Sequence, residues 1–154
     1  MQKKIFTFFL LLFMSSCGYE AIHSKKKNVN YNFSIDKLNF TGDREVNLKI
    51  KEKLNNYTLK QENKNFVLKI YSIYKKRTLA KDTSGDATNF EITIVVNVDV
   101  LMNNKLKSSF AITENFSYNN SDNKFDLKRH EKEIKNNLSE ILTQKLIFRL
   151  SNIQ

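Results

Sequence analysis

The segment Glu91-Ile-Thr-Ile-Val-Val-Asn-Val-Asp-Val-Leu-Met102 decides the fold of this 154-residue chain. Branched aliphatic residues occupy every second position: Ile92, Ile94, Val96, Val98 and Val100. Strict alternation of this kind is typical of a β-strand that buries one face. Asn103 and Asn104 follow at once, and asparagine tolerates the positive φ angles of a two-residue hairpin turn. We therefore predict a strand over residues 91–102 that ends in a hairpin.

The segments on either side of this strand are also typical of β-structure. After the hairpin, apolar positions continue through Leu106, Phe110, Ile112, Phe116 and Tyr118. Before it, residues 66–77 are rich in β-branched and aromatic residues. Residues 78–88 contain the glycine and short polar side chains expected of a connecting loop. These three strands are expected to form an antiparallel meander.

A strand and a helix precede the meander. Residues 32–40 alternate between apolar and polar side chains with a one-residue slip, which predicts a strand with a β-bulge. Residues 43–55 begin with aspartate, a common N-cap, and place Val46, Ile50 and Leu54 four residues apart. That spacing predicts a short amphipathic helix.

A second helical pattern follows the meander. Apolar residues recur at helical spacing: Ile134, Leu138, Ile141, Leu142, Leu146 and Leu150. The predicted order is β-α-β-β-β-α, with a helix at each end of the meander. We predict an α+β fold, a two-layer sandwich in which a four-stranded, mostly antiparallel sheet carries both helices on one face.

The first residues have the features of an export signal. A basic start is followed by the apolar run 5–14 and by Ser15-Ser16-Cys17. The apolar run is shorter than the roughly 20 residues that cross a bilayer. Small residues that end at a cysteine are typical of lipoprotein processing, in which the thiol receives diacylglycerol and the peptide is cut before it. We predict a signal peptide over 1–16 and lipidation of Cys17.

The next residues define the expected organisation of the mature chain. Residues 17–30 are polar and basic without a sustained period, so they are interpreted as the lipidated N-terminus and a tether. Residues 31–154 then form a single α+β domain. Two or three acyl chains, at about 0.8 kcal/mol per buried methylene, anchor a protein stably. Gly18 stands where aspartate would signal inner-membrane retention, which favours the outer membrane.

The formal net charge of +10 predicts attraction to anions. In the periplasm these anions are phospholipid headgroups and the phosphorylated lipid A of lipopolysaccharide, whereas nucleic acid is absent. The tightest basic cluster within the domain is Lys75-Lys76-Arg77, and we take it as the candidate lipopolysaccharide contact. The alternative is that the abundant lysine and asparagine reflect overall composition alone.

The sequence contains no signature of catalysis. Three scattered glycines exclude a Gly-rich phosphate loop, and one cysteine with two histidines leaves no set of ligands for a structural zinc site. His130 and Glu131 lie in a charged run and are interpreted as a solvated helix face. We expect a protein without enzymatic activity, cofactor or metal. Five aromatic residues are expected in the core rather than in a lipid groove: Tyr71, Tyr74, Phe90, Phe110 and Phe116.

Taken together, these features resemble the LptE family of lipopolysaccharide-assembly lipoproteins. The likeness rests on the start Cys17-Gly18-Tyr19, the turn Thr41-Gly42-Asp43-Arg44-Glu45 before the first helix and the strands paired around Asn103-Asn104. It also includes the loop that leads from Tyr118 into the final helix, so that it covers essentially the whole mature chain.

The resemblance implies a non-enzymatic scaffold. Such a protein is lipid-anchored in the outer membrane, faces the periplasm or a barrel lumen, and plugs and helps assemble the large β-barrel LptD. It also assists delivery of lipopolysaccharide to the outer leaflet. Two other readings stay open from the residues alone: a free-standing periplasmic lipid carrier and a purely structural envelope lipoprotein.

Overall fold

The computed structural model describes residues 32–59 and 62–153. The predicted signal peptide, Cys17 and the tether lie outside these residues. The elements in chain order are β1 (Ser34–Gly42), α1 (Arg44–Thr58), β2 (Asn65–Lys81), β3 (Ala87–Met102), β4 (Lys105–Asn119) and α2 (Lys124–Ser151). The predicted order β-α-β-β-β-α is confirmed.

The four strands form one sheet in the order β1-β2-β3-β4. β2, β3 and β4 pair antiparallel as the predicted meander, and β1 pairs parallel to β2. The parallel pair follows from α1, because a helix that connects two strands brings the chain back to start the second strand at the same end. The predicted α+β class with a mostly antiparallel sheet is confirmed.

The hairpin between β3 and β4 has the predicted turn. Asn103 and Asn104 have φ angles of 51° and 60°, the left-handed values of a type I′ turn. This turn has the twist of the flanking strands, so it fixes the register in which Met102 pairs with Lys105. The predicted bulge in β1 is also present, as a register shift between Ile35 and Lys37.

The chain turns sharply from β1 into α1. Gly42 has a φ of 93°, and a Cβ on it would lie 1.9 Å from the carbonyl oxygen of Ser72. Asp43 then caps the helix as predicted, since its carboxylate accepts the N–H of Val46 at 2.9 Å. The Asn47 amide donates to the Thr41 carbonyl at 3.0 Å and closes the turn.

One hydrophobic core lies between the sheet and the two helices. The alternating residues of β3, from Ile92 to Val100, are at most 1% exposed. α1 contributes Val46, Ile50 and Leu54, and α2 contributes a row of leucines that ends at Leu150. Within the described parts of the chain, no helix is long and apolar enough to span a membrane.

Candidate functional site

The basic cluster Lys75-Lys76-Arg77 lies in β2, beyond the point where β1 stops pairing with it. β1 ends opposite Ser72, and the three basic residues pair only with Thr93, Ile92 and Glu91 of β3. Successive side chains of a strand point to opposite faces of the sheet. The structure therefore does not bring the three side chains together: Lys75 and Arg77 share one face, and Lys76 lies on the other.

Lys76 is on the helix-bearing face and is held by two groups. Its Nζ lies 2.6 Å from Oε1 of Glu131 in α2 and 4.1 Å from the centroid of the Phe90 ring. The same Glu131 oxygen accepts the hydroxyl of Tyr118 at 2.8 Å. Burial and the hydrogen bond to Glu131 raise the pKa of Tyr118. Lys76 thus takes part in an ionic contact between α2 and the sheet.

Glu131 corrects one interpretation made from the sequence. Residues 130 and 131 were expected to form a solvated helix face; His130 is exposed, but the side chain of Glu131 is only 19% exposed. The signal was present in the sequence, because Leu127, Glu131, Ile134 and Leu138 are three or four residues apart and share one helix face.

Arg77 and Lys75 lie on the opposite face, on which no helix of residues 32–59 and 62–153 packs. The Nε of Arg77 is 2.7 Å from Oε1 of Glu91, the residue opposite it in β3, and the arginine side chain stays 68% exposed. Lys75 is exposed and has no ion-pair partner in the described part of the chain. An anion that approaches this face would meet the ammonium of Lys75 and the outer edge of the Arg77 guanidinium.

The same open face has a depression of about 310 Å³ nearer the middle of the sheet. Its walls come from β1, β2 and β3 and include Thr41, Lys69, Tyr71, Asn97 and Asp99. Hydroxyl, amide, ammonium and carboxylate groups therefore lie beside apolar surface from Ile70 and the Tyr71 ring, so a ligand here would need polar groups to match them.

A second ionic cluster, which the sequence analysis missed, joins α1 to α2. Lys135 lies 2.9 Å from a carboxylate oxygen of Asp43 and 2.8 Å from one of Glu45, with Nζ 4.4 Å from the centroid of the Tyr74 ring. Burial alone would raise the pKa of Asp43, but the hydrogen bonds from Val46 and Lys135 outweigh it and lower that pKa. Burial alone would lower the pKa of Lys135, but its two carboxylate partners raise it.

The aromatic residues divide between the core and the surface. Tyr74, Phe90 and Phe110 pack against the core as expected. Tyr71 and Phe116 are 49% and 47% exposed, so the expectation of a core position is wrong for these two. Among residues 32–59 and 62–153, no group of three or more acidic, histidine or cysteine side chains could hold a metal ion.

Three solved bacterial lipoproteins are similar in structure. Rare lipoprotein B from Shewanella oneidensis has 16% identity and a TM-score of 0.54, with 75% of this chain and 97% of that chain covered. A minor lipoprotein from Acinetobacter baumannii has 16% identity and a TM-score of 0.60, with 79% and 91% covered. Lipoprotein B from Nitrosomonas europaea has 17% identity and a TM-score of 0.59, with 79% and 86% covered. At these identities the likeness shows a shared fold.

Sequence comparison adds the family. No curated protein matches the chain significantly. The sequence model of the LptE family, described as lipopolysaccharide-assembly, matches residues 32–150. The match runs from just before β1 almost to the end of α2, which is nearly all of the folded domain. The chain therefore belongs to the LptE family of lipopolysaccharide-assembly proteins.

Proposed function

We propose that this chain is an outer-membrane lipoprotein that plugs and helps assemble an LptD-like β-barrel and assists the delivery of lipopolysaccharide to the outer leaflet. The observation that carries the proposal is the family match over residues 32–150. A role in assembly rather than catalysis agrees with that family. The protein would act through its surfaces, as a scaffold that contacts a barrel and a lipid.

The open face of the sheet supports the proposed contact with a barrel. Its outward side chains on β3 and β4 include many uncharged polar groups, among them Thr93, Asn97, Thr113, Asn115 and Ser117. The interior of a large outer-membrane barrel is also polar. Hydroxyl and amide groups can form hydrogen bonds with such a wall without the cost of burying unpaired charges.

Lys75 and Arg77 support the proposed contact with lipopolysaccharide. Both side chains point to the open face. Arginine and lysine bind phosphate groups through charge-assisted hydrogen bonds, and lipid A carries such groups. Lys76 differs because it lies on the helix-bearing face, where its side chain is only 32% exposed and its ammonium is paired with Glu131, whereas the Arg77 side chain stays 68% exposed beside Glu91. We expect the open-face pair to supply most of the affinity and Lys76 to supply stability.

Binding of purified lipopolysaccharide to charge variants tests this assignment. The variant Lys75→Ser/Lys76→Ser/Arg77→Ser should lose binding, and Lys75→Ser/Arg77→Ser should lose nearly as much. The matched control is Lys105→Ser/Lys107→Ser, which removes two charges near the β3–β4 turn and should retain binding. Unchanged binding by the triple variant would refute the site. An equal loss of binding in the control would show that the variants act through the overall net charge and not through these residues.

We propose that acyl chains attached to Cys17 anchor the protein in the membrane. Mass spectrometry of the protein from membranes should show a chain that begins at Cys17 and carries two or three acyl groups. Cys17→Ala should abolish the added mass and leave the chain unprocessed. An unmodified mature chain that begins elsewhere would contradict the lipoprotein assignment.

Depletion of the protein tests the proposed role itself. Newly made lipopolysaccharide should fail to reach the cell surface, and the barrel should accumulate in an incompletely assembled form. Re-expression of the wild-type chain should restore both. If lipopolysaccharide still reached the surface at the normal rate, the role in delivery would be wrong, whereas lipid bound to the isolated protein would favour the carrier alternative.

A further inference from the structure

β4 is an edge strand of the sheet, and among the described residues no strand lies on its outer side. Asn120, just after β4, donates its N–H to the carbonyl of Thr88 in β3 at 2.9 Å. Backbone groups of successive strand residues point to opposite sides, so even-numbered residues of β4 face β3 and odd-numbered ones face away. The N–H and C=O groups of Ala111 and Thr113 therefore point outward, and no strand of the described chain pairs with them.

Beyond the bulge at Lys107, this edge lacks the usual protection against added strands. Natural edge strands are commonly short, bulged or lined with charges. β1, at the other edge, has only nine residues and a bulge. Residues 108–119 of β4, by contrast, include a single charged side chain, Glu114, in a chain with 27% charged residues. Glu114 is itself neutralised by Lys145 of α2.

An apolar groove of about 510 Å³ lies directly beside the edge. Residues 111–114 of β4 form one wall, and Ile141, Phe148 and Arg149 of α2 lie on the other. The side chains of Ile141 and Phe148 are 41% and 62% exposed, although both are large and apolar. A strand edge with an apolar groove alongside it is the arrangement by which proteins bind extended peptides, through backbone hydrogen bonds and alternate side chains.

The charge of the groove indicates the chemistry of its partner. Lys145 is paired with Glu114, but Arg149 has no ion pair in the described part of the chain and lies 5.0 Å from the centroid of the Phe110 ring. An acidic side chain of a bound partner could therefore form an ion pair with Arg149. A second copy is disfavoured, because two chains with an excess of basic residues repel and β4 offers no free carboxylate to Arg149.

We propose that β4 and its groove bind an extended segment of another protein, which adds to the sheet as a fifth strand beside Ala111 and Thr113. The segment places apolar side chains at alternate positions against Ile141 and Phe148 and an acidic side chain at Arg149. This inference rests on the edge and groove geometry and does not depend on the proposed barrel partner.

Photo-crosslinking tests the register of the added strand. A photoreactive amino acid is placed in the full-length chain, in its own cells, at Ala111, Thr113 or Asn115, with Asn39 of β1 as the control position. The expected crosslinks fall in one segment of one partner and move along it in one direction, about two residues per step. Scattered crosslinks, no crosslinks, or crosslinks that join β4 to β4 of a second copy would overturn the proposal.

A backbone variant separates strand addition from ordinary surface contact. Thr113→Pro removes an outward N–H that β3 does not use, whereas Thr113→Val retains it. The crosslink from Ala111 should fall about tenfold in the proline variant, the loss of roughly one hydrogen bond, and stay unchanged in the valine variant. Arg149→Glu, at an exposed position, should also weaken the crosslink. Unchanged crosslinking in Arg149→Glu, or in a folded Thr113→Pro protein, would overturn the proposal.

Discussion

At the residue scale, Gly42 shows how closely the first turn is packed. Its φ of 93° lies in the left-handed region, and an added Cβ would lie 1.9 Å from a backbone oxygen of β2. The backbone of β2 cannot move aside as the end of a flexible side chain can. Gly42→Ala should therefore lower the free energy of unfolding by about 3 kcal/mol or more.

Gly85 provides the matched control for this substitution. It has a similar φ of 90°, but a Cβ there would meet nothing within 4 Å. Gly85→Ala should cost only the backbone strain, about 1–2 kcal/mol. Chemical denaturation of both variants measures the difference, and equal losses would show that contact with Ser72 does not limit the turn.

Asp43 carries a pH dependence whose sign follows from its lowered pKa. The carboxylate accepts the N–H of Val46 and pairs with Lys135, so the folded state favours the charged form. A lowered folded pKa gives stability that is present above the unfolded value of about 3.9 and is lost as the pH falls through the folded value. Asp43→Asn keeps a capping oxygen but removes the charge.

The Asp43→Asn variant should be less stable than the wild type by about 1–2 kcal/mol at pH 7. That difference should shrink below about pH 4 as the wild-type carboxyl takes up its proton. Urea unfolding of both proteins, in a series of buffers from pH 2 to pH 7, measures this difference in the free energy of unfolding. A difference that stays constant over the whole range would contradict the ionic role of Asp43.

At the element scale, Glu131 connects α2 to β2 and β4 through Lys76 and Tyr118. Glu131→Ala leaves both partners without their acceptor, and we expect a loss of about 2–3 kcal/mol in stability. Glu131→Gln keeps an acceptor for Tyr118 and should lose about half as much. Glu133→Ala, at an exposed position of the same helix, should change stability by less than about 0.5 kcal/mol. Equal effects of Glu131→Ala and Glu133→Ala in thermal melts would mean that the contacts of Glu131 with Lys76 and Tyr118 contribute nothing specific to stability.

The elements differ in how far the sequence predicts them. The alternation of β3, the Asn103-Asn104 turn and the Asp43 cap depend on neighbouring residues, and all three are confirmed. The contact between Asp43 and Lys135 joins residues 92 positions apart, and no local pattern reveals it. Lys75, Lys76 and Arg77 fall in the strand predicted over 66–77, whose alternation already separates Lys76 from the other two, so the single cluster was an error of interpretation and not a limit of the sequence.

At the scale of the whole molecule, the fold leaves two surfaces of different character. The side of the sheet that bears the helices is filled by the core and by ionic contacts, whereas no helix of the described residues packs on the open face and no described strand pairs with the β4 edge. A scaffold that contacts a barrel and a lipid needs such free surfaces. The family match and this arrangement together lead to the proposed role in lipopolysaccharide assembly.

Co-purification tests the central claim of a barrel partner most directly. The protein carries a C-terminal tag, is purified from detergent-solubilised outer membranes, and its partners are identified by mass spectrometry. We predict one large β-barrel protein at near-equal amount, retained in high salt because screening weakens only associations that depend on exposed charges. Recovery of the protein alone, or of a barrel that high salt removes completely, would contradict the account.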